Sequence, residues 1–170
     1  MSLYHHQMAE DTAERKSGRG DVFVYAQLGL IALVVLGPRS FGDSEPWPGI
    51  WGQAAWAAGQ ALLLAGAAFA LAGFIYLGSN LSPWPRPREG SRLVQTGVYR
   101  LVRHPLYTGL IFSALGWALR VNGPLTLLYA ICLAALLDRK ARYEEHWLRR
   151  KFGSYADYQR KVKRFVPFIY

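Results

Sequence analysis

"GVYRLVRHPLYTG", residues Gly97 to Gly109, stands directly before an apolar run and carries two arginines, a histidine, a proline and two tyrosines. Pro105 suits the first position of a helix, where its missing N–H costs nothing. Basic and aromatic side chains at the start of an otherwise greasy helix mark a membrane boundary, because such groups prefer the interface. The fold follows from reading outward in both directions from that boundary.

The chain has 170 residues, 52% of them hydrophobic, enough for one domain with a real interior. Charges gather in the first twenty or so residues, in 79–104 and after 137, with nearly uncharged blocks between them. This predicts an all-α integral membrane protein with about four transmembrane helices and a cytosolic helical tail at the C-terminal end. Residues 1–21 read as a polar tail, without the short apolar core and cleavage site of a signal peptide. Residues 22–170 read as a single membrane domain with helices at about 22–37, 50–78, 105–119 and 124–152, followed by a short helix at 154–163.

Local signals set these bounds. Pro38 and Arg39 stop the first run. In the second, Gly52, Gly59, Gly66 and Gly73 recur every seven residues, a stripe on which another helix can lie closely. Gln53 and Gln60 share that spacing and are expected to bond to a neighbouring helix. "RVNGP", residues 120–124, is turn punctuation and makes a hairpin of the next two helices; a re-entrant, interrupted segment is the alternative. In the last long helix Leu137, Ala141, Glu144, Leu148 and Phe152 follow a helical period as far as Gly153. Ser154 with Asp157 then resembles a capping box.

Lys and Arg fall unevenly among the predicted loops. Arg39 and Arg120 stand alone in the first and third, whereas Arg86, Arg88, Arg92, Arg100 and Arg103 share the second and ten lie after Leu137. The positive side faces the cytoplasm, so a multi-pass protein of the cell membrane with both termini cytoplasmic is expected. The net charge of +9 follows the edges of apolar runs and fits anionic lipid headgroups, not nucleic acid. The single cysteine, Cys132, rules out a disulfide within the chain and a cysteine zinc site. His5, His6 and His146 lack a well-spaced partner, and no metal is called for.

Antiparallel hairpin arms bring "RHPLY" and "YEEHW" together. The predicted cytosolic layer gathers Tyr99, Arg100, Arg103, His104 and Tyr107 opposite Glu144, Glu145, His146 and Trp147. Arginine grips carboxylates, carboxylates hold ammonium groups and aromatic faces attract sulfonium, a set that suits S-adenosylmethionine. The helix start behind Pro105 offers backbone amides to a ligand anion. The plainer alternative is that the arginines reach lipid phosphates, the glutamates pair with Lys140 and Arg149 along their helix, and Tyr107 anchors the interface.

"GVYRLVRHPLYTG", the hairpin and then "EE…L…FG…Y…Y…V.RFVP" together resemble the isoprenylcysteine carboxyl methyltransferase family and its phospholipid methyltransferase relatives, over about the second half of the chain. The resemblance implies a membrane enzyme that binds S-adenosylmethionine through Arg103, His104, Pro105, Tyr107, Gly109, Glu144 and Glu145, with Tyr99 as an addition. His104 and Arg100 are the candidates to act on a lipophilic or membrane-accessible acceptor. That acceptor is left open among a prenylcysteine carboxylate, a phospholipid amine and a thiol. Two other classes stand beside this reading: a sterol-type reductase using NADPH, which shares an Arg-His-Pro-x-Tyr stretch, and a noncatalytic membrane adaptor.

Overall fold

The computed structural model describes residues 19–40, 49–82, 84 and 90–170. The polar tail with His5 and His6, most of the first loop, and Arg86 and Arg88 lie outside the described residues. Among the described residues there are five α-helices, α1 (Arg19–Leu36), α2 (Gly49–Leu77), α3 (Pro105–Arg120), α4 (Pro124–Lys151) and α5 (Tyr155–Lys161), and no strand. The fold class is therefore all-α, and each expected helix is present within three residues of its expected ends.

Among the described residues one helix, Gly49–Asn80 including its 3-10 extension, is long and apolar enough to cross a membrane; the apolar stretch Gly20–Leu36 is shorter. At 1.5 Å per residue, α2 runs about 43 Å and α3 about 24 Å. The glycine stripe explains how α2 and α3 lie together. A Cβ on Gly59 would meet the Gly116 carbonyl at 2.7 Å, and one on Gly66 would meet the Gly109 carbonyl and Ser113 N at 2.8 Å. Backbone thus packs on backbone along about two turns, an approach only glycine permits. Gln60 also bonds across, accepting from Arg120 Nη1 at 2.6 Å.

The hairpin is tight. Asn122 adopts φ 50°, which asparagine tolerates, and Pro124 starts α4 at once. Val34, Ile111, Ala114, Ala130, Leu133, Leu137 and Ala141 form a core where α1, α3 and α4 meet. Beyond Phe152 the chain turns into α5 and comes back under the bundle. Ser154 occupies the N-cap of α5 but its side chain makes no capping bond, so the expected capping box does not form. Residues 163–165 then run along the start of α3, with a parallel bridge between Val102 and Lys163.

Candidate functional site

The first turn of α3 and the last three turns of α4 meet as the hairpin requires. His104 is the N-cap of α3, yet its side chain makes no capping bond. It turns instead toward α4: Nε2 lies 3.2 Å from Glu145 Oε1 and Nδ1 3.5 Å from Glu144 Oε2. Its ring stacks on Tyr107 at 5.4 Å with the planes nearly parallel. The Tyr107 hydroxyl donates to Glu144 Oε1.

Arg103 also reaches Glu145 and uses all three of its nitrogens. Its Nη2 pairs with Glu145 Oε1 at 2.8 Å, its Nε donates to the same oxygen at 3.0 Å, and its Nη1 donates to the carbonyls of Gln159 and Val162. Glu145 also receives Gln159 Nε2 at 2.8 Å and the guanidinium of Arg164 on both oxygens. The two neighbouring glutamates thus differ in role: Glu145 is a buried hub for cations, whereas Glu144, 17% exposed, lines a cavity.

Electrostatics follow from this layout. Burial opposes charge on Glu145, but hydrogen bonds from His104 and Arg164 and the Arg103 charge outweigh it and hold the carboxyl well below its usual range. Burial likewise opposes charge on His104, but Glu144 and Glu145 overcome it, and its pKa is raised. Both ring nitrogens face carboxylates, so both are turned to protein partners and not to a ligand.

The cavity holds about 160 Å³ between α3, α4, α5 and the segment that follows α2. Tyr99, Arg103, His104, Pro105, Tyr107 and Glu144 all line it. Of the residues expected at the site, five do not: Arg100 is on the exposed surface, Glu145 lies behind Arg103, Gly109 packs against Ala70 and Gly66 of α2, and His146 and Trp147 stand outside the lining. The backbone amides of Arg103 and His104, just ahead of the helix start, are taken by the carbonyls of Lys163 at 2.8 Å and Arg164 at 3.2 Å. Glu145 pairs across the fold instead of with Arg149, which reaches Gln159.

The cavity's far wall, including Asn80, Trp84, Ser91 and Arg92, was not foreseen. Neither were Arg164, Asp138 and Tyr170, although Asp138 and Glu145 stand seven residues apart on one face of α4, a spacing that calls for a shared cation. The Tyr155 and Tyr158 rings complete the wall from α5, and the Tyr158 hydroxyl donates to the Tyr99 carbonyl at 2.5 Å.

These features define a helical protein with a membrane-type apolar helix and, at one end of its bundle, a cavity of paired charges and aromatic rings. The phospholipid methyltransferase family model matches residues 54–155. The chain belongs to that family. It is 33% identical over 86 residues to protein-S-isoprenylcysteine O-methyltransferase B of Arabidopsis thaliana, covering 49% of this chain and 44% of that protein. It is 38% identical over 79 residues to the protein-S-isoprenylcysteine O-methyltransferase of Saccharomyces cerevisiae, covering 45% and 33%. A cobalt-zinc-cadmium resistance protein of Cupriavidus metallidurans is 28% identical over 141 residues, covering 81% of this chain and 61% of that protein. The match thus spans less than half the length of these isoprenylcysteine methyltransferases.

Proposed function

We propose that the protein is an integral membrane methyltransferase that transfers the methyl group of S-adenosylmethionine to a lipophilic acceptor reached from the bilayer. The observation that carries this reading is the cavity where Glu144, Tyr107 and His104 converge with Tyr99, Tyr155 and Tyr158. The donor set fits a sulfonium amino acid: a carboxylate suits its ammonium, and tyrosine faces suit its positive sulfur. When bound, that cofactor supplies an activated methyl group and needs no covalent help from the protein.

The chain's own residues align and enclose. Glu144, oriented by the Tyr107 hydroxyl and the His104 ring, is the group assigned to the donor's amino-acid end. Pro105 and the tyrosine rings restrict the water near the reacting atoms. His104 is assigned an orienting role and not that of a base, because its nitrogens face Glu144 and Glu145. Glu145 and Gly109 are assigned to support, the first by holding Arg103 and the second by letting α2 approach α3.

Four crossings, both termini cytoplasmic and a cell-membrane location belong to the same reading, supported by the hairpin and the charge bias. At about 24 Å, α3 is shorter than the roughly 30 Å hydrocarbon layer, so the bilayer thins beside it, and the basic and aromatic residues at its His104 end assign that end to the membrane edge, where a polar donor meets a greasy acceptor. Among acceptors, the relatives' names favour a prenylated cysteine carboxylate. The test is calorimetric titration of the detergent-purified protein with S-adenosylmethionine, with NADPH as control. Binding of the former and not the latter is expected; NADPH binding, or no binding by folded protein, would overturn the reading.

A further inference from the structure

Arg164 does not line the cavity, yet its side chain holds Glu145, the carboxylate that pairs with two of the cavity's charged residues. Its Nε lies 3.2 Å from Glu145 Oε1 and its Nη2 3.0 Å from Oε2, a fork on both carboxylate oxygens. Its Nη1 reaches Asp138 Oδ1 at 2.7 Å and the Tyr170 hydroxyl at 3.0 Å, and that hydroxyl itself donates to Asp138 Oδ1 at 2.9 Å. Two carboxylates of α4 and one phenol therefore fix the plane of the guanidinium.

The main chain on either side of Arg164 grips the other half of the site. The carbonyls of Lys163 and Arg164 accept the amides of Arg103 and His104, and the Phe165 carbonyl accepts Thr108 Oγ1 at 2.9 Å. Residues 163–165 thus hold the backbone beneath Arg103 and His104 while the Arg164 side chain holds the carboxylate that pairs with both.

We propose that Arg164 is a positioning residue of the methyl-donor site: acting through Glu145, it fixes Arg103 and His104 and so the direction in which Glu144 faces the cavity. This rests on the methyltransferase reading above. The physical reason is a division of charge. The groups facing His104 are Glu144 and Glu145 from α4, Tyr107 from α3 and Phe165 from the returning segment, with Arg103 beside it in the chain and Arg164 across Glu145. With two guanidiniums on Glu145, the imidazolium is shared between the glutamates at 3.2 and 3.5 Å. Without Arg164, Glu145 claims His104 for itself, and Glu144 loses the partner that orients it. A lysine supplies the charge but cannot fork onto both oxygens while reaching Asp138.

The test uses the full chain in detergent, reading S-adenosylmethionine affinity by calorimetry across pH and the titration midpoint of His104 by NMR. Arg164→Met is expected to weaken binding about tenfold, the scale of one lost charge-assisted contact. It is also expected to move the His104 midpoint upward, because the imidazolium replaces the missing cation. Arg164→Lys is expected to return the midpoint toward wild type while affinity stays reduced. A merely structural arginine would lower the melting temperature and leave the midpoint where it was, and that result, or unchanged affinity and midpoint in Arg164→Met, overturns the proposal. If Arg164→Met does not fold, Tyr170→Phe removes one of the contacts on the guanidinium and gives the same two shifts at smaller amplitude. Absence of S-adenosylmethionine binding by wild type would sink the functional reading, while the His104 midpoint would still decide what Arg164 does.

Discussion

Arg103 and Glu145, forty-two positions apart, close an ion pair at 2.8 Å with side chains only 7% and 2% exposed. Each charge has given up water for the other, and Arg164, Gln159 and His104 complete the hydrogen bonding of the carboxylate. The pair anchors the start of α3 to the side of α4, and the cavity lies against it.

Removing one partner leaves the other charge buried. Glu145→Ala is expected to cost about 3–5 kcal/mol of stability, the usual penalty for breaking a buried pair. Denaturant or thermal unfolding followed by circular dichroism measures it. A loss under about 1 kcal/mol, the value of an exposed pair, would mean that water reaches the carboxylate.

Glu144 should behave differently from its neighbour. As it lines the cavity, Glu144→Gln is expected to weaken S-adenosylmethionine binding about tenfold while costing less than about 1 kcal/mol of stability. Arg100→Ala serves as the control: that side chain is exposed and away from the cavity, and affinity should stay within about twofold. Calorimetry on the two variants separates a donor site built on Glu144 from one that reaches out to Arg100.

The α2–α3 contact has no room for side chains. Gly66→Val would drive a Cβ against the Gly109 carbonyl and Ser113 N, both 2.8 Å away, and is expected to destabilise by about 1–3 kcal/mol or more. Gly29→Ala, in α1 with nothing within 4 Å of the added carbon, should be neutral or slightly stabilising. Comparable melting temperatures for the two variants would contradict the close approach of the helices.

Stability should fall on both sides of neutrality, for opposite reasons. His104 has a folded pKa raised above its ordinary 6.5, so its contribution is fully present below 6.5 and is lost as pH rises through the folded value. Glu145 has a folded pKa depressed from 4.5, so its contribution is present above 4.5 and is lost as pH falls toward the folded value. Melting temperature against pH should show both limbs, and His104→Gln should flatten the alkaline one and shrink the acidic one, since His104 is among the groups that hold Glu145 low. An alkaline limb unchanged in that variant would remove His104 as its source.

What the sequence determined by itself is what depends on neighbours along the chain. Pro105 and Pro124 mark the starts of α3 and α4, Asn122 takes the left-handed turn between them, and the seven-residue glycine spacing marks the face of α2 that α3 covers. The hairpin then forces "RHPLY" against "YEEHW", so His104, Tyr107 and Glu144 are legible as one cluster before any coordinates are drawn.

Tertiary structure alone decided how the adjacent glutamates divide their work. Nothing local distinguishes Glu144 from Glu145, because successive helix positions differ only by about 100° of rotation. The difference comes from residues 159–164 arriving beneath α3 and carrying Arg164 and Gln159 to one carboxylate and not the other. The same segment took the Arg103 and His104 amides away from any ligand. Periodicity fixes which face a side chain occupies, but the burial of a charge depends on what packs over that face, and here the covering residues lie 14 and 19 positions beyond Glu145.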